Sequence, residues 1–166
     1  MPTIAAIDVD YRDDKAVAAC VVFDAWDASD SSEEKVMNIS SVEPYVSGQF
    51  YRREMPCILA VLGKLSTKPD VVIVDGFVWL GDPTKPGLGG HLWEALGRRK
   101  DVVGVAKNAF AGAAPIREVY RGTSKRPLYV GAAGCDLDSA ALNVSAMHGD
   151  HRLPTLLRRV DRLCRQ

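Results

Sequence analysis

Two short apolar runs constrain this chain most: TIAAIDV at residues 3–9 and VVIV at residues 71–74. Each carries an aspartate at or just past its end, Asp8 and Asp75. Runs of this length, rich in β-branched residues and without polar alternation, read as strands buried on both faces. Such strands need helices on both sides of their sheet. The segments AVAACVVFD (16–24) and KVMNIS (35–40) read as further strands. The polar turn 27–34 separates them, and with the first strand they suit an antiparallel meander. From Glu54 to about Leu65, Ile58, Leu59, Val61, Leu62 and Leu65 recur at helical spacing.

The second half changes pattern. After VVIVD comes a Gly/Pro-rich loop (76–90), a helix near 90–97, a strand VVGVA (102–106), and a hairpin-like stretch at 117–121 and 127–131. Helices at 137–147 and 154–164 close the chain, with Pro154 suited to the first turn of the last one. The expected fold is α/β, with a mixed central sheet of five to six strands and helices on both faces. At 166 residues a single domain, 1–166, is expected.

Composition is 47% hydrophobic and 25% charged, ordinary for a globular protein. No apolar run approaches the roughly 18 residues of a membrane helix. The N-terminus lacks the pattern of a signal peptide, so the cytoplasm is the expected compartment. Cys20, Cys57, Cys135 and Cys164 are scattered without a CxxC pair, which argues against structural zinc. Net charge is formally zero but unevenly spread. Residues 1–54 hold eleven acids and five bases, whereas 98–126 hold eight bases against Asp101 and Glu118, and the last fifteen residues hold five arginines and one acid. That polarity suits an acidic centre beside a basic face, and equally suits solvated surfaces.

A carboxylate at a strand end is held rigidly at a sheet edge. Asp8, Asp75 and Glu54, converging there, would form an oxygen-rich site for a hard cation such as Mg²⁺, with Mn²⁺ able to substitute. Such a centre can activate water against a phosphodiester. Asp10, two residues beyond Asp8, shares its face of the strand and reads as a surface charge.

The order of three antiparallel strands followed by α/β units resembles the RNase H-like fold. More specifically, six segments in order resemble the endonuclease V family: AIDVDY, PYVSGQFYRRE, IVDGFVWLGDPTKPGLGGHL, VGVAKNAFAG, PLYVGAAGCDLDSA and HRLPTLLRRVDRL. The resemblance implies a metal-dependent endonuclease acting near inosine in DNA or RNA, in nucleic-acid repair. It implies that Asp8, Glu54 and Asp75 hold the metal and that Lys107 stabilises phosphate charge. Pro44, Tyr45, Val46, Ser47 and Gly48 match a strand-separating wedge. Gly87, Gly89, Gly90 and His91 match a stretch suited to a lesion pocket. Asp161 matches a family position and is expected to pair with Arg158 or Arg165. A monomer would suffice for this activity.

The chain departs from the family at three places. Gly134, Cys135 and Asp136 replace a segment that ends in histidine, Asp82-Pro83 replaces His-Pro, and Ser47 stands where proline is usual. Asp136 or Asp138 is then expected to supply a late carboxylate to the metal. The alternative left open is a chain of the same fold that binds nucleic acid without cutting it.

Overall fold

The computed structural model describes residues 1–40, 51–112 and 115–166. The wedge-like residues Pro44, Tyr45, Val46, Ser47 and Gly48 lie outside them, as does the side chain of Asp82.

Strands β1 (Ile4–Arg12), β2 (Lys15–Phe23) and β3 (Glu33–Ile39) form the expected antiparallel meander. Helix α1 (Tyr51–Leu62) follows, then β4 (Val71–Val74). A short hairpin, β5 (Trp79–Leu80) and β6 (Asp82–Pro86), precedes α2 (Leu88–Ala95) and β7 (Asp101–Ala106). The chain ends with β8 (Arg117–Val119), β9 (Leu128–Ala133), α3 (Leu137–Ser145) and α4 (Thr155–Arg165).

Among the described residues, seven strands form one sheet in the order β3-β2-β1-β4-β7-β9-β8. The centre, β1-β4-β7, is parallel, and both flanks are antiparallel. Five to six strands were expected. The count rises because both arms of the late hairpin join the main sheet, β9 alongside β7 and the three-residue β8 at the outer edge. A second difference lies in the Gly/Pro-rich loop, where β5 and β6 pair as a separate two-stranded ribbon. Proline is tolerated there because the ribbon has only edges.

The sheet buries both faces. Ala5, Ile7, Ala18, Cys20, Val72 and Val74 pack against Cys57, Ile58 and Val61 of α1 and Leu88 and Leu92 of α2. Ile4, Ala6, Val21, Ile73, Val103 and Val130 face α3 and α4, which contribute Ala140, Val144, Leu156, Leu157, Val160 and Leu163. The uninterrupted apolar character of β2 and β4 follows from this sandwich. All four cysteines are free, and Cys20 and Cys57 are buried in the core. Among the described residues no helix is long and apolar enough to cross a membrane.

Candidate metal centre and substrate pocket

The register of the parallel centre builds the site. Ala6 pairs with Ile73, so two residues further on Asp8 and Asp75 stand side by side on the face that meets α4. Asp75 lies one residue past β4, where the sheet no longer covers it, and its side chain is 43% exposed. Asp8 is half-buried inside β1, and its antiparallel partner on β2 is the small Ala19, which leaves room beside it.

Glu54 reaches the same edge from the other face, in the first turn of α1. It lines a cavity of about 160 Å³ together with Asp8, Asp75, Ile58, Leu88 and Arg165. Burial pushes its carboxyl up to about 8, and the charges of Asp8 and Asp75 add to the effect, opposed by the neighbouring Tyr11 and Arg53. The Arg53 guanidinium stacks over the Tyr11 ring, 3.6 Å from its centroid. The Tyr11 hydroxyl is buried beside Glu54 yet has no hydrogen-bond partner within ordinary limits among the described residues.

A fourth carboxylate comes from α4. Asp161 closes on Asp8: ligand atoms of Asp8, Asp161 and Cys164 lie within 4.8 Å of one another. Asp8 is held well above the usual carboxylate range by burial, by the charge of Asp75 and by the adjoining Asp161 carboxyl. Burial also opposes ionisation of Asp161. Hydrogen bonds from Arg165 and Asp8 and the charges of Lys107 and Arg165 outweigh it, and Asp161 stays below its ordinary value. The expected arginine pair exists, Arg165 Nε to Asp161 Oδ1 at 2.9 Å. The contact with Asp8 was not anticipated. The available signal was helical phase, since Asp161 stands four residues after Leu157 and three before Cys164, both on the buried face of α4.

Carboxylates this close repel one another when ionised, and a cation between them relieves that repulsion. The carboxylates of Asp8, Asp75, Asp161 and Glu54 offer the hard-oxygen chemistry that a candidate site for Mg²⁺ or Mn²⁺ needs. Lys107, one residue past β7, brings Nζ to 3.5 Å from Asp75 Oδ2. Asp10 is drawn away by ion pairs with Arg12 at 3.1 Å and Arg165 at 3.7 Å.

Asp136 does not join this centre. β9 runs antiparallel to β7, so the residues after it emerge at the opposite edge of the sheet, near the start of β4 and β7. There the Asp136 side chain caps α3, accepting from Ser139 N and Oγ at 2.9 Å each. Asp138 pairs with Arg117 on the surface at 2.7 Å. Among the described residues, the carboxylate from late in the chain that meets Asp8 is therefore Asp161 of α4, not one from the segment after β9.

A second, apolar cavity of about 510 Å³ opens beside Asp75 and Lys107, walled by Phe77, Leu80, Gly87, Leu88 and Phe110. Of the four residues expected at a lesion pocket, only Gly87 lines it. A Cβ at Gly89 would meet Val78 Cγ2 at 2.8 Å, and one at Gly90 would meet Val78 O at 2.6 Å. Those two glycines let α2 pack onto the loop before β5. His91 points elsewhere and stacks on Tyr51, with ring centroids 3.6 Å apart.

The sequence model of the family described as Endonuclease V matches residues 1–130. Endonuclease V of Streptomyces avermitilis is 31% identical over 98% of this chain and 79% of its own length, and that of Streptomyces coelicolor is 33% identical over 98% and 77%. This chain belongs to the endonuclease V family. With membership comes the enzyme class, a nuclease. The crystal structure of the Streptomyces avermitilis protein superposes with a TM-score of 0.84 at 30% identity, covering 98% of this chain and 79% of the other. Ciona intestinalis endonuclease V, solved in complex with a 24mer DNA containing an inosine followed by a ribo-adenosine, superposes at 0.82 with 18% identity, covering 99% and 84%. That last likeness speaks for the fold, which is the RNase H-like fold expected from strand order.

Proposed function

We propose that this endonuclease V family member hydrolyses a phosphodiester near inosine in DNA or RNA, in nucleic-acid repair, using Mg²⁺ or Mn²⁺. One observation carries the reading: Asp8, Asp75 and Glu54 line one cavity, Asp161 of α4 closes on Asp8, and an apolar cavity walled by Phe77, Leu80 and Phe110 opens at Asp75 directly beside them. Asp75 and Lys107 line the boundary between the two. A base extruded from its stack into the cavity leaves its backbone next to the carboxylates. The aromatic and aliphatic walls suit a flat purine, and a mispaired inosine is extruded at lower cost than a paired base.

Asp8, Asp75 and Asp161 would hold the metal, with Glu54 behind them. When bound, the ion supplies Lewis-acid stabilisation of the phosphate and lowers the pKa of water. Glu54, with its raised affinity for a proton, is suited to accept one from the attacking water. Lys107 neutralises charge that builds on the phosphate oxygens. The Ciona complex with inosine-containing DNA supports the same substrate class here. Residues 44–48 are proposed as the wedge that separates strands, on the family resemblance alone. Cytoplasmic location and action as a monomer remain part of the proposal.

The rival reading, a nucleic-acid binder that has lost catalysis, drew its motive from two absent histidines, at residues 134–136 and at Asp82, whose side chain lies outside the described residues. Asp136 caps a helix at the far edge of the sheet, so the change there does not touch the carboxylates. The test is a nicking assay on a labelled duplex with one deoxyinosine, and on its RNA counterpart, with Mg²⁺ or Mn²⁺. A single metal-dependent nick near inosine is expected, and Asp75→Asn should abolish it while leaving the melting temperature and nucleic-acid affinity largely intact. Salt-sensitive binding without any nick would establish the rival.

A further inference from the structure

We propose that Arg152 is a positioning residue for Lys107, acting through the backbone of the β7 end. The inference rests on the reading of Lys107 as the group that neutralises phosphate charge.

The β7–β9 ladder stops early. Its last pair is Ala106 with Tyr129, and the chain entering β9 does so through Pro127. Proline has no N–H to extend the ladder, so the carbonyls of Lys107 and Pro127 are left at an open strand end. Arg152 closes it. Its Nη2 donates to Pro127 O at 2.6 Å and to Lys107 O, and its Nε donates to Pro127 O at 3.2 Å. One planar guanidinium thus replaces the missing rung with charge-assisted bonds.

Arg152 is itself held from behind. Arg121, 6% exposed, donates Nη1 to His151 O at 2.7 Å and to Arg152 O at 3.3 Å. Its Nη2 donates to Met147 O at 2.5 Å and to Gly149 O at 3.1 Å. The turn between α3 and α4 is therefore pinned by one arginine and reaches the active edge with another. The next residue, Leu153, lines the space beneath Asp8, Asp75 and Lys107. Lys107 sits one residue outside the sheet, so nothing in the ladder fixes its Cα. The Arg152 fork does so, and with it the aim of Nζ.

Lysine at position 152 would keep the charge but cannot span both carbonyls with a rigid fork. The experiment compares wild type, Arg152→Lys, Arg152→Gln, Lys107→Ala and the double variant Lys107→Ala with Arg152→Gln. Single-turnover nicking of the deoxyinosine duplex, duplex affinity and melting temperature are read for each. Both Arg152 variants should lose roughly 10²-fold in rate, the effect of misplacing a group by about 1 Å. Duplex affinity should stay within about threefold of wild type, since a positioning role acts on the chemical step. In the Lys107→Ala background, Arg152→Gln should cause no further loss.

Three outcomes would overturn the inference. Full activity of both Arg152 variants would do so, as would an equal rate loss with and without Lys107. Weakened duplex affinity with a shallower salt dependence would instead make Arg152 a phosphate contact. If Arg152→Gln does not fold, Arg152→Lys decides by the same rate and affinity. Full activity of Lys107→Ala would remove the underlying reading of Lys107, a result distinct from normal Arg152 variants beside an impaired Lys107→Ala.

Discussion

Asp161 changes how the acidic residues of this chain divide their work. Asp8 was legible in the sequence because it interrupts an apolar strand, where an acid without a partner is costly, whereas Asp75, just past a strand and before a glycine, also reads as a turn former and stood out through the family resemblance. Asp161 was not legible, because an acid among arginines on an amphipathic helix ordinarily belongs to a surface ion pair. It makes that pair and also meets Asp8. Asp136 failed in the opposite direction. Proximity in the family pattern suggested a ligand, while its place just ahead of a helix, with Ser139 three residues on, was the signature of an N-cap. Asp161→Asn tests the assignment. The amide can still hydrogen-bond Asp8, so the metal-free protein should melt within a few degrees of wild type. Nicking should fall by about 10²-fold or more, the scale of removing a preorganised charge, and the rise in melting temperature on adding Mg²⁺ should shrink. An undiminished Mg²⁺ response in calorimetry would take Asp161 out of the metal site.

At the scale of elements, the meander, the parallel centre and all four helices follow from apolar period, because each strand or helix buries a face whose pattern is local. The boundaries moved by a residue or a few: α1 is already helical at Tyr51, three residues before Glu54, with Pro56 inside it. The loop from 76 to 90 was less legible. Its glycines suggested close approach to a ligand, whereas two of them serve the contact between α2 and the loop entering β5. Gly→Ala inside a helix normally stabilises by about 0.5–1 kcal/mol. At Gly90 the sign should reverse, since the new methyl meets Val78 O at 2.6 Å and Pro86 Cβ at 2.7 Å. A loss of about 1–3 kcal/mol is expected from overpacking, measured by urea unfolding of Gly90→Ala against wild type. Equal or greater stability would mean that the contact yields and that the glycine was kept for another reason.

On the whole-molecule scale, the fold spends stability on holding acids together at one edge, and pH exposes it. Glu54 has an ordinary value of 4.5 and is raised to about 8 by burial first and then by Asp8 and Asp75. Between those values the folded protein keeps a proton that the unfolded chain has released. The stabilisation is complete below about 4.5 and is lost as pH rises through about 8, with a slope of at most about 1.4 kcal/mol per pH unit for one proton. Asp8, raised for the same reasons, adds to the same trend. The metal-free protein, kept in EDTA, should therefore lose stability from pH 5 to pH 8. Glu54→Gln, which cannot ionise, should flatten that slope. A divalent ion binds the deprotonated carboxylates, so the stabilisation by excess Mg²⁺ should grow as pH rises. Melting temperatures across pH 5–8, with EDTA and with Mg²⁺, should diverge as the pH increases. If the two curves ran parallel, proton and metal would not share these carboxylates, and the centre described here would not be where the metal binds.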